Sequence, residues 1–159
     1  AQEIAACYTT TDDVVMVPLL TGSIIFVADL VRHLPMRMRI DVMAVSSYPG
    51  TATTSQGAKV MYPAEFHVAG KHVLVVDDIL DSGKTLALVT DLLKKSGALS
   101  VKTCVLLRKK IATTQSMTAD FIGFDIPDEF VVGYGLDYNH YYRNLPDIAV
   151  LNPCVFEKK

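Results

Sequence analysis

An α/β domain built on a mainly parallel, twisted sheet flanked by helices is what this sequence predicts, and three observations carry that reading. Short apolar runs rich in β-branched residues recur at residues 14–20 (VVMVPLL), 73–76 (VLVV) and 101–107 (VKTCVLL), the composition of strands buried on both faces. Helical apolar patterns stand between them, so strand and helix alternate as in β-α-β units. The central run also leads into a polar, glycine-containing turn and a helix rather than into a hairpin.

Taken in order, AQEIAACY opens the chain at Ala1 and reads as the tail of an amphipathic helix, which leaves a trimmed amino terminus open. Residues 14–20 form a buried strand, and residues 23–34 (SIIFVADLVRHL) an apolar helix joined to it by a very short turn. Residues 38–46 (MRIDVMAVS) suggest a second strand. Residues 47–59 (SYPGTATTSQGAK) hold almost no large apolar side chain besides Tyr48, with two glycines, a proline and three threonines, so the segment cannot bury itself and is expected to be a mobile loop. The central strand, residues 73–76, is expected to end at Asp77 and Asp78. A helix follows with Leu88, Val89, Leu92 and Leu93 on one face, stopped by Gly97. The run at 101–107 closes a second β-α-β crossover, and Arg108-Lys109-Lys110 puts a basic cluster at its carboxyl end, where ligands of open α/β sheets gather. A solvated turn would account for that cluster equally well. Beyond Ala119 the chain is aromatic and broken by prolines, and reads as a cap rather than more sheet.

With 159 residues, half of them apolar and a fifth charged, the chain has the length and composition of one globular domain. A formal net charge of −2 gives no electrostatic reason to expect nucleic acid. The three cysteines, Cys7, Cys104 and Cys154, are odd in number and lack metal-ligand spacing. They point to a reducing compartment, with Cys104 as a core residue. No apolar run approaches membrane-spanning length, and no basic-then-apolar leader opens the chain, so a cytosolic protein without a membrane partner is expected.

The stretch from His72 to Gly97, HVLVVDDILDSGKTLALVTDLLKKSG, holds most of the candidate chemistry. A turn from a parallel strand into a helix presents unpaired backbone N–H groups and the positive end of the helix dipole, and phosphate binds there. Gly83-Lys84-Thr85 matches the last three positions of the nucleotide-binding P-loop. The first glycine of that loop would fall on Asp78, where a carboxylate would repel a triphosphate. Two carboxylates beside a phosphate cradle instead suit vicinal hydroxyls or a bridging Mg²⁺. A sugar with both a phosphate and a free diol is phosphoribose, and VVDDILDSGKT resembles the signature of the type I phosphoribosyltransferases. PLLTGSIIFVADLVRHL, VSSYPG and DFIGFDIPDEFVVGYGLDYNHYYRNLPDIAVL resemble the members of that family that act on hypoxanthine and guanine, and the likeness runs over nearly the whole chain.

The resemblance implies the family fold as a single unit over residues 1–159, with a core at about 9–118 and a small carboxyl-terminal hood at about 119–159, to which the amino-terminal segment could also contribute. It implies transfer of phosphoribose from 5-phosphoribosyl-1-diphosphate to a 6-oxopurine with release of pyrophosphate, assisted by Mg²⁺, in a homo-oligomer of two or four subunits. Asp77 and Asp78 correspond to the pair that holds the ribose hydroxyls, although the first position is commonly Glu. Ser82, Gly83, Lys84 and Thr85 correspond to the turn around the 5-phosphate, and Asp81 to the general acid or base that faces the purine. A helix-capping aspartate would account for that residue type as well. Thr21 and Gly22 lie in the loop whose backbone grips pyrophosphate, where the family usually carries Lys or Arg in place of Thr21. Ser47 and Tyr48 correspond to the base of the loop that closes over the reacting centre. Lys109 corresponds to the donor to the purine 6-oxo group, Phe130 to the aromatic that stacks on the base, and Val131 to the carbonyl that reads its edge. Asp137 corresponds to a Mg²⁺ ligand and Arg143 to a pyrophosphate contact. A rival reading from another class is a regulatory protein that keeps the pocket as a sensor and binds nucleic acid, since fold alone does not decide function.

Overall fold

A computed structural model describes residues 1–46, 59–60, 67–110 and 117–155. The main sheet has the order β4-β3-β1-β5-β6-β7, with β1 at Val14–Leu20, β3 at Met43–Ser46, β4 at Lys59–Val60, β5 at His72–Leu80, β6 at Ser100–Lys109 and β7 at Phe121–Ile126. A further strand, β2 at Met38–Ile40, also pairs with β1. Every pairing is parallel except that of β3 with β4. Helices α2 (Ile24–Val31) and α3 (Lys84–Lys95) follow β1 and β5, and one turn of helix, α1 (Gln2–Ala5), precedes the sheet. The expected mainly parallel α/β fold is therefore the observed one.

The sheet is sandwiched by two apolar layers, because alternate residues of a strand point to opposite faces. Val15, Val17, Val73 and Val75 pack on one side with Leu86, Val89 and Leu93 of α3. Met16, Leu74, Val76 and Cys104 pack on the other with Val27 and Leu30 of α2 and Ile4 of α1. The central strands β1 and β5 are thus buried on both faces, as their continuous apolar runs require. Burial pushes the Cys104 thiol up to about 12, so it behaves as a small core hydrophobe, while Cys7 and Cys154 are exposed and free.

Four expectations need correction. The single strand at 38–46 is broken: β2 pairs with the first half of β1 and β3 with its end, and between them Asp41 donates its N–H to the carbonyl of Met16 at 2.9 Å. Leu88 is 39% exposed, and the buried face of α3 is made by Leu86, Val89, Thr90 and Leu93. Pairing also continues past Val76, so Asp77 and Asp78 lie inside β5 rather than after it. Finally, residues 121–126 are sheet, not cap, pairing in parallel with β6 from Cys104↔Phe121 to Lys109↔Ile126. Asp120 secures the start of that edge strand. One of its carboxylate oxygens accepts from both the N–H and the hydroxyl of Thr103, at 2.8 and 2.9 Å.

Outside the main sheet, β8 (Val131–Val132) pairs antiparallel with β9 (Ala149–Val150) in a second, two-stranded sheet. Helix α3 stops as expected: Gly97 takes the left-handed conformation at φ +86°, and its N–H and that of Ala98 reach back to the carbonyls of Lys94 and Leu93. Among the described residues no helix is long and apolar enough to cross a membrane. The loop expected at 47–59, apart from Lys59, and its Ser47 and Tyr48, lie outside the described residues.

Candidate active site

The site opens where β1 and β5 part company. Their pairing ends at Pro18↔Val76, whereas β5 stays paired with β6 to Leu80↔Arg108. Among the described residues, residues 77–80 therefore pair with a neighbouring strand on one side only, and the other side forms a crevice at the carboxyl edge of the sheet. The turn after β1 fills part of it. The Leu20–Thr21 peptide is cis, and buried Ser23 fastens the turn by donating its hydroxyl to the carbonyl of Leu19 at 2.6 Å. Gly22 lies so close to the acidic pair that a Cβ there would stand 1.8 Å from Oδ2 of Asp78, so any side chain at this position would displace the Asp78 carboxylate.

Asp77 and Asp78 are half-buried. The Asp78 N–H donates to Oδ1 of Asp77 at 3.0 Å, and the Ile79 N–H donates to Oδ1 of Asp78 at 2.9 Å. Burial, and then the charge of Asp78 beside it, raise the Asp77 carboxyl well above the usual carboxylate range. Burial raises Asp78 too, against the opposing pull of its hydrogen bonds and of Arg143. Enclosure of two neighbouring carboxyls thus favours a proton retained between them, and a polyhydroxyl or cationic partner would relieve the same cost.

The turn that follows leads straight from β5 into α3. Gly83 is the N-cap of α3 in the left-handed conformation, φ +77°, and no side chain caps the helix. Asp81 is therefore not a helix cap here. The first N–H groups of α3 face the end of the crevice without a competing side-chain acceptor of the capping kind, apart from a long 3.5 Å approach of the Lys84 N–H to the Ser82 hydroxyl. Lys84 is exposed and Thr85 half-buried at the start of the helix.

Asp78, Ile79, Asp81, Lys109, Phe130, Val131, Leu136 and Asp137 line one cavity of about 160 Å³. Six of these eight are sequence-derived candidates, contributed by β5, the turn after it, the end of β6 and the small hood sheet. Lys109 pairs with Asp128 at 3.0 Å, while its neighbours Arg108 and Lys110 both reach Asp125, at 2.7 and 3.4 Å. The basic cluster therefore divides, and of its three cations Lys109 alone lines the cavity. Phe130 is 42% exposed and meets the ring of Tyr138 edge-on at 5.6 Å. The hairpin pairing Val131↔Val150, with the Leu151 N–H donating to the Phe130 carbonyl at 2.8 Å, holds that wall in place.

Asp137 and Arg143 form an ion pair at 2.7 Å, and Arg143 also donates to the carbonyl of Gly135 at 2.6 Å. Asp137 further accepts the N–H of His140 at 2.7 Å. That bond closes a tight reversal in which Asn139 and His140 are both left-handed and Tyr138 and Tyr141 exchange backbone hydrogen bonds, the geometry of a two-residue primed turn. Among the described residues no group of three or more His, Cys, Asp or Glu converges on one point. The donors are carboxylates alone, which fits Mg²⁺, a hard ion that retains water and takes substrate oxygens rather than requiring a full protein cage.

Sequence reasoning missed Ser23, Ile79, Gly135 and Leu136. A serine directly after a β-α turn glycine, and the Gly-Tyr-Gly of residues 133–135, are the local signals that point to two of them. Ile79 and Leu136 carry none.

The phosphoribosyl transferase domain family matches residues 1–139. A hypoxanthine-guanine phosphoribosyltransferase of Bacillus subtilis (strain 168) is 42% identical over 139 residues, 87% of this chain and 77% of that protein. A hypoxanthine phosphoribosyltransferase structure from Staphylococcus aureus superposes with a TM-score of 0.90 at 38% identity, covering 99% of this chain and 85% of that one. The enzyme of that name from Trypanosoma cruzi, solved with the product IMP, superposes with a TM-score of 0.86 at 35% identity, covering 98% and 87%.

Proposed function

The chain belongs to the phosphoribosyltransferase family, and on that premise we propose that it is a purine-salvage enzyme, which transfers the 5-phosphoribosyl group of 5-phosphoribosyl-1-diphosphate to hypoxanthine or guanine and releases pyrophosphate. The observation that carries the reading is the shared cavity. Groups suited to a ribose, to an oxopurine and to a charged leaving group line the same 160 Å³ space, although they come from positions 78 to 137 of the chain. Xanthine is left open as a third base, because the exocyclic group at the 2-position is read largely by backbone atoms.

Each group has a task that follows from its chemistry. Asp77 and Asp78 accept the ribose hydroxyls and, as carboxylates, favour the positive charge that develops on the sugar as its bond to pyrophosphate lengthens. Ser82, Gly83, Lys84 and Thr85 enclose the 5-phosphate with backbone N–H groups, hydroxyls and one cation. Asp81 takes the proton that the purine loses as it attacks. Lys109 donates to the 6-oxo group, a donor that disfavours adenine, whose 6-amino group also donates. Phe130 stacks on the base, the Val131 carbonyl reads its edge, and the Thr21–Gly22 backbone and Arg143 hold the diphosphate. Asp137, with the substrate's own oxygens, would hold a Mg²⁺ ion, which when bound supplies neutralisation of the leaving group's charge. Ser47 and Tyr48 close over the centre and exclude water as a competing nucleophile.

The same reading includes one catalytic unit with a short hood, a cytoplasmic location and association into a dimer or tetramer. Large apolar side chains exposed at Ile24, Ile25, Ile40 and Val42 supply surface for association, which equilibrium ultracentrifugation measures. No observation favours the nucleic-acid sensor. The deciding experiment is an ultraviolet assay of hypoxanthine, guanine, xanthine and adenine, each with phosphoribosyl diphosphate and Mg²⁺. Consumption of the first two and not of adenine is expected. Consumption of none, together with salt-dependent binding of nucleic acid, would overturn the proposal.

A further inference from the structure

Tyr134 and Asp29 have no part in the functions described so far, yet they join the hood to the core. The Tyr134 hydroxyl donates to Oδ2 of Asp29 at 2.5 Å across 105 positions of sequence. Asp29 sits on α2, the helix that begins directly after the Thr21–Gly22 turn, and it also pairs with Arg32 one turn on. The bond holds Asp29 below the usual carboxylate range, and burial and the bond push the Tyr134 phenol up to about 12. Donor and acceptor therefore keep these roles through neutral pH.

The backbone at Tyr134 is the more telling observation. Gly133, Tyr134 and Gly135 are left-handed in succession, at φ +94°, +52° and +102°. Two of the three are glycines, for which this costs little, but Tyr134 is not, and a bulky residue adopts that conformation only where its surroundings compensate. The bend is held by three N–H bonds: Gly133 to the Leu136 carbonyl, Tyr134 to that of Leu145 and Gly135 to that of Arg143. Gly135 then rests on the β1–α2 turn so closely that a Cβ would stand 2.1 Å from the Gly22 carbonyl oxygen. Its own carbonyl accepts from the Arg143 guanidinium. The purine wall is fastened differently, through the β8–β9 hairpin and the Leu151 bond to Phe130.

We propose that the Asp29–Tyr134 hydrogen bond is a positioning pin that seats the bend at 133–135 on the β1–α2 turn, and so sets where Arg143 and Asp137 stand for the diphosphate end of the substrate. The pin rests on the phosphoribosyl-transfer reading, and it acts on one substrate and not the other. Loss of the pin lets Gly135 lift from Gly22 and takes Arg143 with it. Phe130, Val131 and Lys109 stay where their own sheet contacts hold them.

The test compares wild type with Tyr134→Phe, Asp29→Leu and Asp29→Asn, whose amide oxygen can still accept from the phenol. Steady-state kinetics are run with each substrate in turn, and amide hydrogen exchange is followed across residues 133–143. Tyr134→Phe and Asp29→Leu are expected to raise KM for phosphoribosyl diphosphate about tenfold, the scale of one good hydrogen bond. They should leave KM for hypoxanthine within about twofold and speed exchange in the hood. Asp29→Asn is expected to restore both readouts most of the way. Equal rises in both KM values, or faster exchange with both KM values unchanged, would overturn the pin as a positioning device, as would failure of Asn to rescue relative to Leu. Should Tyr134→Phe not fold, the Asn and Leu pair at Asp29 decides. If wild type forms no nucleotide from any base, the functional reading falls, and hydrogen exchange alone then decides whether the pin exists.

Discussion

Two regions supply the cavity, and they are built on opposite plans. The stretch from Asp77 to Thr85 is local: one strand, one turn and the start of one helix present two half-buried carboxyls, a third acid and a row of N–H groups within nine positions. The hood from Phe130 to Arg143 is assembled by distant contacts, with Tyr134 on Asp29, Gly135 on Gly22 and Lys109 on Asp128. A local site survives loosening of the rest of the molecule, because its geometry follows from strand and helix dihedrals. A site held by long-range contacts has only the tertiary structure to keep it, so substitutions far away in sequence can disable it. Substitutions in the two regions should therefore fail in different ways.

The largest effect is expected inside the local region. Asp81→Asn should lower kcat by about 10²–10⁴-fold, the usual worth of a positioned general acid or base, with KM and thermal midpoint little changed, since Asp81 caps nothing. Pre-steady-state measurement of the chemical step checks this, and unchanged turnover would remove Asp81 from the chemistry. Gly135→Ala comes next and should fail in the other manner. A Cβ at φ +102° would meet the Gly22 carbonyl at 2.1 Å, so the hood must shift, at a cost of about 1–3 kcal/mol in stability. Calorimetry and the KM for phosphoribosyl diphosphate should both move. An alanine variant with wild-type values of both would show that the two regions are not in register as described.

Asp77→Asn sharpens the contrast, because it should stabilise the empty protein while impairing it. The folded-state pKa of Asp77 lies above its unfolded value, so protonation stabilises the fold. The contribution is fully present below the ordinary carboxylate range and is lost as pH rises toward the raised folded value. Relative to wild type, the asparagine variant should gain nothing near pH 4 and progressively more toward neutrality, about 2–4 °C in Tm for each kcal/mol relieved. Thermal melts across that pH range test the sign, and a gain that shrinks with rising pH would contradict it. The smallest effect should be that of Phe130→Leu, which keeps an apolar wall but loses the ring. KM for hypoxanthine should rise by a few-fold, in line with about 0.5–1.5 kcal/mol for an aromatic contact, with KM for phosphoribosyl diphosphate unaltered.

Legibility follows the same division. The strand, the turn and α3 could be read because their signals lie within a few residues of one another: a β-branched run, a glycine at a left-handed N-cap and a glycine that stops the helix. The hood residues Phe130, Asp137 and Arg143 carried no such local signal, and only likeness to a family marked them, while Lys109 at the end of β6 was marked locally only as part of a basic cluster. Residues 121–126 were misread as cap because an edge strand owes its state to its partner, the 104–109 stretch of β6, and its FIGFDI sequence is too short and mixed to announce that. The break at Asp41 and the extension of β5 past Val76 have the same origin, since pairing with a neighbour determines where a strand stops.

By itself, then, the sequence determined the alternation of strand and helix, the phosphate-type turn and the presence of two adjacent acids at its edge. These depend on periodicity and on dihedral preferences that each residue carries wherever it stands. Only the tertiary structure decided that Asp77 and Asp78 would be enclosed, that Lys109 rather than Arg108 or Lys110 would line the cavity, and that a bend at 133–135 would come down on Gly22. Burial, charge pairing and close backbone approach are properties of which surfaces meet, and that is fixed only when segments more than a hundred residues apart pack together.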